Sequence, residues 1–68
     1  MKDKVEVKKV VSKSEAAKIL REIADQVEAG QVKVGEVAVS LPDSFECELE
    51  YKVKEGKHQI EVEFEWRE

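Results

Sequence analysis

The stretch that most constrains the fold runs from Phe45 to Trp66, where apolar and charged residues alternate along two runs joined by Lys54-Glu55-Gly56-Lys57. In an extended chain successive side chains point to opposite faces, so Phe45, Cys47, Leu49, Tyr51 and Val53 share one face, and Ile60, Val62, Phe64 and Trp66 continue it. A two-residue loop of Glu55 and Gly56 uses the glycine for the positive φ of a tight hairpin. That loop sets Tyr51 against Ile60, Leu49 against Val62, Cys47 against Phe64 and Phe45 against Trp66. It also sets Glu50 against Glu61, Glu48 against Glu63 and Glu46 against Glu65. A slip of one residue would bury glutamates against the apolar row, so the pattern specifies its own register.

The rest of the chain has to fold around this hairpin, and it is short. Sixty-eight residues form one domain, residues 1–68, near the lower limit for a self-supporting core. At 41% hydrophobic the chain is too apolar for a disordered segment, and at 41% charged it is rich in salt-forming groups. The net charge of −4 argues against nucleic acid and anionic membrane surfaces as partners. The charge is unevenly spread: residues 1–34 hold eight Lys/Arg and six Asp/Glu, or +2, whereas residues 35–68 hold four and ten, or −6.

Residues 4–11 read as a strand, alternating cleanly at Val5 and Val7, with lysines that suit an exposed edge. Ser12-Lys13-Ser14-Glu15 has capping-box form, and Ala16, Ile19, Leu20, Ile23, Ala24 and Val27 follow at helical spacing. Gly30 suits the left-handed position that closes a helix, giving a helix over about 13–29. Between Gln31 and Leu41 the apolar parity changes at Gly35; residues 31–35 read as a connector and the next strand as starting at Glu36. Pro42-Asp43-Ser44 makes a turn.

The expected fold is therefore α+β: a four-stranded, mostly antiparallel sheet in element order β-α-β-β-β, with one helix packed across one face. The first strand lies at an edge, beside the fourth strand or the second, with the fourth preferred. The expected core joins Ile19, Leu20, Ile23, Val27, Val39, Leu49, Val62, Phe64 and Trp66.

No catalytic constellation emerges, and the chain is read as not an enzyme. Cys47 sits on the apolar row as a small buried hydrophobe, and one cysteine cannot form an intrachain disulfide. His58 stands beside the turn, about 20 Å from Cys47 at ~3.3 Å per residue, which rules out a Cys-His dyad. Ser12, Ser14, Ser40 and Ser44 occupy cap and turn positions with no histidine to activate them. No cofactor and no metal cage is expected. The N-terminus lacks an apolar signal segment and no apolar run has membrane-spanning length, so the expected location is the cytoplasm.

What the expected fold does not account for is the ladder of Glu46, Glu48, Glu50, Glu61, Glu63 and Glu65. Directly opposed like charges destabilise a sheet. The ladder reads as a solvated face, as a face complemented by Lys4 and Lys8, or as a surface for a basic protein partner or cations. Function is accordingly read as a non-catalytic interaction or accessory module, the alternative being a cation-responsive or small-ligand-binding protein that uses the acidic face. A homodimer is open on either reading.

The order of elements resembles the amphi-Trp domain family: a short N-terminal strand, a capped helix ending in Glu28-Ala29-Gly30, then Val37-Ala38-Val39-Ser40-Leu41-Pro42-Asp43, and a terminal amphipathic strand, Ile60-Glu61-Val62-Glu63-Phe64-Glu65-Trp66. The resemblance covers nearly the whole chain. Members are small proteins of unestablished function, so it implies a domain type and supplies no substrate, cofactor or catalytic residue.

Overall fold

A computed structural model describes residues 3–68. The first regular element is the helix α1, Lys13–Ala29, and both of its ends follow from local chemistry. Ser12 is extended (φ −81°, ψ 168°), its hydroxyl accepts from the Glu15 N–H at 3.1 Å, and its own N–H donates to Glu15 Oε1 at 3.1 Å. Two orphan amides of the first turn are thereby satisfied, as the capping-box spacing predicts. At the other end Gly30 takes φ 90°, and its N–H reaches the Gln26 and Val27 carbonyls. A residue with a Cβ would resist that left-handed conformation.

The chain reverses at once into β1, Gln31–Val34, which pairs antiparallel with β2, Val37–Ser40. This corrects the expectation of a connector over 31–35. A two-residue loop pairs even numbers with odd ones, so the parity change at Gly35 is what a hairpin produces. Val32 faces Val39 and Val34 faces Val37. Gly35 has φ 60°, and a Cβ there would meet Val5 Cγ1 and Val7 Cγ2 at 3.6 Å each. The helix docks on this hairpin, with Gln26 Oε1 accepting the Lys33 N–H at 2.7 Å. The ladder extends one step further through the Leu41 N–H to the Gly30 carbonyl at 2.9 Å.

Residues 41–45 separate this unit from the second hairpin, β3 (Glu46–Lys54) with β4 (Lys57–Glu65). Its register is the one the alternation specifies, from Glu46 opposite Glu65 to Lys54 opposite Lys57. The loop residues Glu55 (φ 51°) and Gly56 (φ 79°) are both left-handed, as a twist-matched two-residue turn requires.

Three expectations fail. The four strands form two separate two-stranded antiparallel sheets rather than one four-stranded sheet, and the element order is α-β-β-β-β. Pro42, just past the end of β2, has no N–H with which to extend pairing into the link, and β3 does not pair with the free edge of β2. Residues 4–11 are not a strand; the alternation lapses at Lys8-Lys9, and Val5 and Val7 rest on the Gly35 turn instead. The single core is also absent: α1 packs on β1 and not on β3 or β4. Ile19, Ile23, Val27, Val39, Phe64 and Trp66 are half-buried, whereas Leu20, Leu49 and Val62 are exposed, and none of the described residues is fully buried.

Candidate functional site

The β3–β4 hairpin presents two chemically opposite faces, and both follow from its register. On one face the row Cys47, Leu49, Tyr51, Val53 lies against Phe64, Val62, Ile60 and His58. At the strand ends the row closes on a small aromatic group, with the Phe45 ring 5.1 Å from Phe64 and 6.0 Å from Trp66, both tilted. Beyond this group the face is bare. Leu49 is 74% exposed, Ile60 75%, Tyr51 62%, Val62 56% and Val53 50%. Cys47 is exposed as well, which corrects the expectation of a buried thiol. The parity placing it on the apolar face is right; the helix that was to cover that face is docked elsewhere.

Near the turn, the Tyr51 hydroxyl and His58 Nδ1 are 2.9 Å apart, and the rings stack at 6.1 Å and 21°. Tyr51 and His58 are diagonal neighbours on the same face, a reach the sequence allows but direct pairing alone does not reveal. Cys47 pairs with Phe64 and His58 with Val53, six residues further along β3, so thiol and imidazole stand about 20 Å apart at ~3.3 Å per residue.

The other face holds Glu46, Glu48, Glu50, Glu61, Glu63 and Glu65 in three directly opposed pairs. Crowding of like charges holds Glu63 above its ordinary pKa, with Glu65 the leading cause and desolvation and Glu48 next. Glu50 is also raised, chiefly through its hydrogen bond with Glu61. Glu61 moves the opposite way, because it accepts from Glu50 and from Lys52, whose Nζ lies 3.3 Å from Glu61 Oε1. The two members of that pair are thus shifted in opposite directions.

The compensating cation is Lys52, from within the hairpin, rather than Lys4 or Lys8. Parity alone could have found it, since Lys52 and Lys54 share the even-numbered face of β3. The polar face is thus divided along its length, with lysines Lys52, Lys54 and Lys57 at the turn and glutamates towards the open end. From the N-terminal segment it is Glu6, with Val7, that borders the groove formed by Glu48, Glu50, Glu61 and Glu63. Among the described residues no group of three or more His, Cys, Asp or Glu side chains is placed to hold a metal ion, so the ladder is an open surface and not a cage. No helix among them is long and apolar enough to cross a membrane.

These features define a class: a small α+β protein in which a capped helix and short hairpin form one unit and a long two-faced hairpin the other. The chain belongs to the Amphi-Trp domain family, whose model matches residues 1–68. No curated protein and no solved structure matches it.

Proposed function

We propose that the protein is a non-catalytic interaction or accessory module that works through the β3–β4 hairpin, with no cofactor. The observation that carries this reading is the contiguous row from Leu49 to Val53 and Ile60 to Val62, at least half exposed throughout. An exposed apolar patch of this extent, bordered by charge, is what protein-binding surfaces have. The thiol of Cys47 and the imidazole of His58 stand too far apart to act as nucleophile and base together, and the Tyr51–His58 pair has no nucleophile within its reach. A cytoplasmic setting agrees with a lone, exposed thiol.

The test is paired affinity capture from the source organism's lysate with the wild type and the double variant Leu49→Lys, Ile60→Lys, the latter first shown to retain its circular dichroism. A prey bound by the wild type and lost by the variant supports the reading. Identical capture profiles for the two would remove it.

A second use of the hairpin rests on its polar face. Glu50 and Glu63, held above the ordinary glutamate pKa by neighbouring carboxylates, would be relieved by a basic protein partner or by cations. If cations act specifically, melting temperature rises more with Mg²⁺ or Ca²⁺ than with NaCl of matched ionic strength. Equal effects leave only general screening.

A further inference from the structure

The accessible surface of the chain is 6762 Å², whereas a compact folded monomer of 7.8 kDa exposes about 4400 Å², leaving an excess of about 2400 Å². The radius of gyration agrees: 13.6 Å against about 11 Å for a compact chain of this length. The excess is shared between the exposed N-terminal segment, with Val5, Val7 and Val10, and the β3–β4 hairpin, which carries five of the ten exposed large apolar residues among those described. Helix α1 packs on β1 alone, and the β3–β4 hairpin meets no other helix or strand of the chain. A two-stranded hairpin without a packed face is at best marginal in water, so this one needs an occupant.

We propose that the occupant is a second copy of this chain, with the apolar faces of the two β3–β4 hairpins packed against each other about a two-fold axis. The inference rests on the reading of this face as a protein-binding surface and names its partner. A two-fold contact puts the same patch on both sides, so the patch has to be complementary to itself. This one is: Cys47, Leu49, Tyr51, Val53, Ile60, Val62 and Phe64 carry no formal charge, and apolar meets apolar. The opposite face works against the other ways in which two of these hairpins could meet. Stacking on the glutamate ladder would set six carboxylates against six, and pairing along a strand edge would align the two ladders side by side. Face-to-face packing at the usual sheet separation of ~10 Å turns both ladders outward.

The area also suffices. Leu49, Tyr51, Val53, Ile60 and Val62, each at least half exposed, offer roughly 500 Å² at ~100 Å² apiece. Cys47, His58 and Phe64 extend the row towards the ~800 Å² per partner of a stable interface.

The experiment is sedimentation equilibrium of the full chain across micromolar to millimolar concentration, together with the rate at which a thiol reagent modifies Cys47 at each concentration. The expected result is a reversible species of twice 7.8 kDa, with Cys47 labelling slowing at least tenfold as that species fills. The variant Leu49→Thr, Ile60→Thr, chosen because threonine keeps strand propensity, should raise the dissociation constant at least tenfold. Glu48→Gln, on the outward face opposite Glu63, should leave the dissociation constant within several-fold of the wild type's. A chain that stays monomeric throughout overturns the proposal, whatever either variant does. In that outcome, patch-dependent capture of another protein would still uphold the interaction reading, so the two fail separately. A dimer in which Cys47 labels as fast as in the monomer also overturns it, because the copies would then meet elsewhere.

Discussion

The turn of the long hairpin offers the most direct test of how this sequence sets its own geometry. Glu55 is the one non-glycine residue among those described with a positive φ, at 51°. Holding an L-residue in the left-handed region costs roughly 1–2 kcal/mol, and asparagine tolerates that region far better. Glu55→Asn should therefore stabilise by about 1 kcal/mol, which for a domain of this size raises the melting temperature by about 4–8 °C. Glu55→Gly removes the strain too but frees the unfolded chain, and should gain only ~0.5 kcal/mol.

At Gly56, φ is 79° and an added Cβ would meet nothing within 4 Å. Gly56→Ala thus isolates the backbone penalty from any clash and should destabilise by about 1 kcal/mol. Glu55→Ala is the control: it deletes the charge while keeping the strained backbone, and should be close to neutral. Thermal unfolding by circular dichroism, at one fixed protomer concentration because association would shift the midpoint, measures all four. Equal stabilisation by Glu55→Ala and Glu55→Asn would show that the gain is electrostatic, and an unchanged Gly56→Ala would refute the conformational argument itself.

The remaining predictions concern charge, cap and aromatic contacts. The folded pKa values of Glu50 and Glu63 lie above the ordinary 4.5, so their share of stability is complete below that value and lost as pH rises through the folded pKa. Glu61 and Glu15 lie below it, so theirs is present above 4.5 and lost on further acidification. At low salt the melting temperature should rise from pH 7 towards about 4.5 and fall beyond; a steady fall from pH 7 would count against the ladder as a source of strain. Glu63→Gln should raise the melting temperature at pH 7 and flatten that rise. Ser12→Ala removes the acceptor of the first helical turn and should cost about 1 kcal/mol, with amide exchange accelerated at Glu15. Phe64→Ala, which breaks a half-buried ring contact with Phe45, should cost about 2 kcal/mol, below the range for a fully buried phenylalanine; no change in midpoint would mean that the aromatic group is idle.

Local chemistry alone determined a good deal of this protein. Ser12 with Glu15 and Gly30 delimit the helix because caps involve residues within one turn of each other. Glu55-Gly56 and the strict alternation around it set the whole β3–β4 register, since pairing propagates from a two-residue loop with period two. The same logic applies at Gly35, where the change of parity between Val34 and Val37 marks a hairpin and not a break in the strand pattern. Lys52 was legible on the glutamate face for the same reason.

The tertiary structure decided what periodicity does not carry. An apolar stripe on α1 and an apolar row on β3–β4 each state that a face wants cover, but neither says which partner covers it. Val32 and Val34 follow the helix after a single glycine and reach its face first, so loop closure favours that contact over the hairpin beyond Pro42. That choice leaves Leu49, Ile60 and Cys47 open to solvent and turns a face expected to be core into the surface on which the protein is proposed to act. The acidic ladder was visible in sequence as six glutamates, whereas the opposite pKa directions of Glu50 and Glu61 required the hydrogen bond between them and the position of the Lys52 ammonium.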